Sequence, residues 1–168
     1  TQHLVEEYRD EIQQIIDEYA SVAAMNEQEA EALTGETKVL KAAEQTLEWC
    51  DMVLLTAGPV GLYLCGYTDD QFKRATTHPI KSQDIADCNQ WEFSRPQRKR
   101  DCESPIKVYS HIDPYMGGPE RIRNTNGAGD GALSALLHDI AANSFHQQPV
   151  PHSSKHRESH LAYSSFAQ

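Results

Sequence analysis

Two short apolar runs, 21–25 and 52–56, each follow a stretch whose apolar residues recur at helical spacing, and this alternation constrains the fold more than any other feature. Within 3–20, Leu4, Tyr8, Ile12, Ile15, Ile16 and Tyr19 fall on one stripe with acidic residues between them. The spacing predicts an amphipathic helix whose stripe faces a core. The run 21–25 then reads as a buried strand, and 26–33 as a second helix closed by Gly35. Asn26 is its natural N-cap, and Glu27 and Glu29 in its first turn have an ordinary explanation in dipole compensation. Leu40, Ala43, Leu47 and Trp49 repeat the helical pattern over 38–50, before the strand at 52–56. A turn at 56–61, rich in glycine and proline, leads into 62–67 as the return strand of a hairpin. Helices alternating with buried strands indicate a layered α/β fold, with a largely parallel sheet plus this hairpin.

Further along, the periodicity fades between 68 and 105, where Pro79, Pro96 and Pro105 interrupt a mixed-charge stretch. This segment reads as an insertion. Arg95, Arg98, Lys99 and Arg100 within it are read as solvated loop charge, and Trp91 and Phe93 as groups that could pin it to the body or to another subunit. The pattern then predicts a strand over 107–112, a turn at 117–119, a short strand over 121–125 and a helix from 129 to about 143. His152, His156 and His160 are four apart and would share one helical face, but Pro149 and Pro151 precede them and no carboxylate or cysteine completes a metal site. A solvated face is the simpler reading.

Composition narrows the function classes. With 168 residues, 39% of them hydrophobic, the chain fits one domain, and it contains no run of membrane-spanning length. Lys and Arg number 15 against 25 Asp and Glu, a formal net charge of -10, which argues against nucleic acid or an anionic membrane as partner. Cys50, Cys65, Cys88 and Cys102 form no C-x-x-C pair and show no zinc spacing, so reduced thiols in a cytoplasmic protein are expected, with a Cys88–Cys102 pairing open to an exported one. The chain opens on Thr1 and stops at Gln168 inside an apparent helix over 155–168, the pattern of a fragment.

Chemistry concentrates in Asn-Thr-Asn-Gly-Ala-Gly-Asp-Gly-Ala-Leu at 124–133. Glycines at 127, 129 and 131 let a backbone approach a ligand closely, and a helix opening there presents free N–H groups suited to phosphate. The loop also fits the dinucleotide fingerprint G-x-G-x-x-A, but the segment before it, 121–125, is polar, and no acidic residue ends a second strand about twenty residues on. A Walker A loop would need Gly-Lys-Ser/Thr at its end. Structurally, Asp130 could simply cap its helix while the glycines turn the chain. Functionally, the amides of Gly127, Ala128 and Gly129 would meet charge on a transferred phosphoryl group, with Asp130 as base for the attacking hydroxyl.

At 124–130 the sequence resembles the D-T-x-G-A-G-D signature of the ribokinase (PfkB) family of carbohydrate and nucleoside kinases, with Asn124 replacing the usual Asp. Asn-Glu-Gln-Glu at 26–29 resembles the family's N-x-x-E motif, and Thr-Ala-Gly-Pro-Val-Gly at 56–61 its T-x-G-x-x-G nucleotide loop. Three motifs in the expected order make the resemblance specific. The stretches 109–119 and 131–145 and the segment 68–105 are similar to the branch of bacterial kinases that act on inosine and guanosine. The resemblance implies a ribokinase-like three-layer α/β/α sandwich, of which 1–168 would be the C-terminal, ATP-side portion, lacking the first strands of the sheet and a substrate-holding lid. It implies purine salvage: transfer of the ATP γ-phosphoryl group to the ribose 5′-hydroxyl, with ATP and Mg²⁺ as cofactors and nucleoside and ATP as small-molecule partners. A monovalent cation such as K⁺ and a homo-oligomer stay open. On this resemblance Asp130 is the base, Gly127, Ala128 and Gly129 form the anion hole, and Asn26 and Glu29 help place Mg²⁺ and phosphate. Thr56, Gly58 and Gly61 border ATP. The portion alone would be inactive. A sugar kinase of the same family, a non-catalytic nucleotide-binding or assembly module, and an NAD-dependent enzyme are the alternatives.

Overall fold

Alternation along strand β2 (Met52–Thr56) sets the layers: Val53 and Leu55 face one side of the sheet, Met52 and Leu54 the other, and all four are buried. The computed structural model describes residues 2–80, 89–93, 96–113 and 127–146. A strand apolar on both faces needs a layer on each. Helices α3 (Glu27–Thr34) and α4 (Val39–Thr46) bring Ala30, Leu33, Leu40 and Ala43 to one face, and α5 (Ala128–His146) brings Leu136 to the other. The arrangement is the three-layer α/β/α sandwich expected.

The main sheet runs in the order β1-β2-β3-β6, with β1 at Val22–Asn26, β3 at Leu62–Thr68 and β6 at Ile106–Ile112. Only β1 and β2 pair in parallel; β2–β3 and β3–β6 are antiparallel, so among the described residues the sheet is mixed rather than largely parallel. The reason lies in how the chain leaves and re-enters β3's end. Gln97 donates its backbone N–H to the Tyr67 carbonyl at 2.9 Å, while Asp69 accepts from the amides of Ser104 at 2.8 Å and Glu103 at 3.2 Å. The excursion therefore returns to the point where it left, and β6 must run back along β3.

Asp69 is the clamp of that return. The Ser104 amide, with further help from Glu103 and the Gln97 side chain, holds its carboxyl below the ordinary carboxylate value. A depressed folded-state pKa stabilises the fold above the unfolded value, about 3.9, and that contribution fades as pH falls through the lower folded value. Asp69→Asn should accordingly lower the urea midpoint of the full-length protein at pH 7, and the gap from wild type should narrow near pH 3. An equal gap at both pH values would contradict this role.

Residues 68–105 hold more structure than their sequence suggests. Strands β4 (Lys73–Ile80) and β5 (Asn89–Phe93) form an antiparallel pair, tied by Arg74 to Glu92 at 2.7 Å and by the Lys73 ammonium 4.2 Å from the Trp91 ring centroid. Trp91 thus packs against Lys73 within the excursion and remains partly exposed, while β4 and β5 both lie against β6 of the main sheet. Charged residues and Pro79 along β4 hid the pair, which cross-strand charge and cation–π contacts help hold together. The side chain of Phe93, together with Arg95 and Cys88, lies outside the described residues. Arg98 pairs with Asp101 at 2.6 Å, and the Lys99 ammonium sits 5.2 Å from the Tyr67 ring centroid.

At the N-terminal side the stripe divides. Helices α1 (Gln2–Glu7) and α2 (Arg9–Tyr19) break at Tyr8, and only Val5, Ile12 and Ile16 pack on the core. Leu4, Tyr8, Ile15 and Tyr19 are exposed, which corrects the core-facing expectation: the helices touch the body along a narrower line than the apolar stripe is wide. Strand β1 likewise alternates, with Ala23 and Met25 buried but Ala24 exposed, and is not buried on both faces. Cys50 and Cys65 are free and buried, and burial pushes the Cys50 thiol up to about 11 and Cys65 higher still, which makes both poor nucleophiles. Among the described residues no helix is long and apolar enough to cross a membrane. The expected turn at 117–119, the strand over 121–125 and the three histidines from 152 to 160 lie outside the described residues.

Candidate active site

Parallel pairing brings the carboxyl ends of β1 and β2 together, and in that register Asn26 lies opposite Thr56. Open α/β sheets bind ligands at this end of their strands. Helix α3 starts directly after Asn26 with a complete capping box: Asn26 Oδ1 accepts from the Glu29 amide at 2.9 Å, and Glu29 Oε2 accepts from the Asn26 amide at 3.1 Å. Both side chains thus have a structural task, and it fixes the Glu29 carboxylate at the strand end. Removing such a cap costs about 1 kcal/mol.

Helix α5 begins at the same end. Gly127 takes φ +79, a conformation that favours glycine, and its carbonyl accepts the first helical bond from the Gly131 amide at 2.8 Å. The helix therefore opens at Ala128, one residue before the expected start, and Asp130 stands in its first turn instead of at its N-cap. The amides of Ala128, Gly129 and Asp130 have no acceptor within the helix. Among the described residues, a Cβ added at Gly129 or Gly131 would meet nothing within 4 Å.

One cavity of about 290 Å³ gathers the polar groups of the three segments: Asn26, Glu29, Thr56, Gly127, Gly129 and Asp130. Ala24, Met25, Leu54 and Leu133 complete its wall. Sequence reading did not single out this apolar part, although the alternation along β2 puts Leu54 on the α5 face. Ala128 is at the same helix start but does not line the cavity. Gly58 and Gly61 also stand apart from its wall; with φ +48 and +107 they shape the adjoining turn, whose root Ala57 is buried.

Two helix N-termini favour an anion here, while Glu29 and Asp130 oppose a bare one. The donor set is hard oxygen, which suits Mg²⁺, an ion held by one or two carboxylates plus substrate phosphates. Among the described residues no group of three or more His, Cys, Asp or Glu could hold a metal by itself.

No protein-family model matches the chain. It is 60% identical to guanosine-inosine kinase from Escherichia coli K12 over 156 residues, 93% of this chain and 36% of that protein. The chain thus spans about a third of the length of the curated relatives it matches. Superposed on the adenosine kinase from Sinorhizobium meliloti, it gives a TM-score of 0.52 at 17% identity, over 96% of this chain and 34% of that one. The fold is ribokinase-like. A second ribokinase-like structure, a probable sugar kinase from Rhizobium etli CFN 42, gives 0.50 at 14% identity, over 98% of this chain and 35% of that one. The α/β/α layers agree with the fold expected from sequence.

Proposed function

We propose that this chain is the C-terminal, ATP-side portion of a nucleoside kinase, with 68–105 as an insertion, and that the intact protein phosphorylates the ribose 5′-hydroxyl of inosine or guanosine in purine salvage. The observation that supports it best is the gathering of Asn26, Glu29, Thr56 and the 127–130 turn, far apart in sequence, around one cavity at the carboxyl ends of β1 and β2. The E. coli relative's own specificity supports the choice of nucleoside. The glycines at 129 and 131 fit this reading: among the described residues nothing lies within 4 Å of where a Cβ would stand at either position, so the start of α5 is open to a ligand.

In the proposed reaction Asp130 accepts the proton of the 5′-hydroxyl as its oxygen attacks the γ-phosphorus; the bond to the β–γ bridging oxygen breaks and ADP leaves. The amides at the start of α5 face the charge spread over the transferring group, with no reorganisation needed at the moment of reaction. Thr56, Gly58 and Gly61 border the nucleotide, and the capping box holds Glu29 and Asn26 where an ion would sit. Mg²⁺, when bound with ATP, neutralises phosphate charge. The site's small-molecule chemistry fits a cytoplasmic enzyme.

An acceptor panel on the full-length protein with ATP and Mg²⁺ tests this. Inosine and guanosine should release ADP faster than adenosine or simple sugars, and ATP but not NAD should raise the melting temperature. A preference for sugars would contradict the nucleoside assignment.

A further inference from the structure

His111 stands on β6 opposite Tyr63, beside the turn at 56–61. Its Nε2 lies 2.7 Å from the Val60 carbonyl oxygen, and its ring centroid is 5.0 Å from that of Tyr63. On the other side Nδ1 is 3.6 Å from Asp113 Oδ1. A carbonyl oxygen only accepts, so Nε2 carries a proton and donates it to Val60.

The turn has reason to need such a hold. Gly58, Pro59 and Val60 at its tip are exposed, and Gly58 and Gly61 both take positive φ. Its internal bonds, from the amides of Val60 to Ala57 at 2.9 Å, Gly61 to Gly58 at 3.2 Å and Ala57 to Gly61 at 2.8 Å, close the loop upon itself. They fix its shape but do not tie its tip to another strand. His111 supplies that tie from β6, with its ring steadied against Tyr63.

We infer that His111 is a positioning residue for the nucleotide: by holding the Val60 carbonyl it keeps Thr56, Gly58 and Gly61 in the arrangement that borders ATP, an inference that rests on the kinase reading above. It acts through the turn and touches no reacting atom.

The test compares His111→Ala and His111→Gln in the full-length protein, by direct ATP binding and by steady-state kinetics. Loss of one hydrogen bond corresponds to an ATP Kd and KM raised about 3- to 10-fold in the Ala variant. The inosine KM and kcat should stay within about 2-fold, because one strut of the turn is lost and the base is untouched. Gln, whose amide can donate to the same carbonyl, should recover most of the ATP affinity. Unchanged ATP affinity in His111→Ala overturns the inference. So does a fall in melting temperature and kcat shared by both variants with the ATP KM unmoved, the result of a merely structural role. Should the wild type bind ATP yet transfer no phosphoryl group, the kinase reading falls, and the binding comparison still decides the role of His111.

Discussion

Asp130→Asn in the full-length protein is expected to lower phosphoryl transfer to inosine about 10²- to 10⁴-fold, the range that a placed general base contributes, while ATP affinity stays within a few-fold. Asn keeps the shape of the side chain and removes the proton acceptor. Asp130 is exposed in the first turn of α5, so its charge does little for folding beyond the interaction with the helix dipole, worth about 0.3–1 kcal/mol. The variant should therefore melt near the wild-type temperature. Single-turnover measurement with saturating ATP separates the two effects: a slow chemical step with normal nucleotide binding supports the base, and a full rate refutes it.

Leu54→Ala should produce the largest loss of stability, about 2–5 kcal/mol, the usual span for truncating a buried leucine. Leu54 is 1% exposed and packs with Met52, Leu64, Val108 and Leu136 between the sheet and α5. It also lines the candidate cavity beside Leu133. The void would loosen the contact that places the start of α5 against the ends of β1 and β2, so transfer should slow even at temperatures where the variant stays folded. Leu54→Met conserves volume and should cost less than about 1.5 kcal/mol with near-normal kinetics. Urea unfolding of both variants, followed by assay at a low temperature, checks the pair. Equal stability of Leu54→Ala and wild type would mean that this layer does not carry the load assigned to it.

Much of this molecule was legible in its sequence because local signals agreed with the tertiary outcome. The strand at Met52–Thr56 has the predicted bounds, and Asn26, Glu29 and Gly35 open and close α3 as their types suggest. The convergence of three motifs on one strand end followed from their resemblance to known motifs, whereas nothing in local periodicity could have brought residues 26, 56 and 130 together. Other features were hidden for physical reasons. The mixed sheet depends on Asp69 clamping the returning chain, a contact made across 35 residues. Strand β4 lacks an apolar alternation, and the exposed flank of α1 and α2 reflects which neighbours are present, not the pattern of the helix itself. His111 falls in the 109–119 stretch, but nothing there gave it a role; its meaning comes from the strand register that sets it beside Val60.

Phosphorus NMR of the full-length protein with ATP, Mg²⁺ and inosine tests the central claim most directly. The γ-phosphate signal of ATP should decline as ADP and the 5′-monophosphate of inosine rise in equal amounts, and the Asp130→Asn protein should show neither change on the same timescale. Release of inorganic phosphate without a nucleoside monophosphate, or transfer at the wild-type rate by the Asp130→Asn protein, would contradict it.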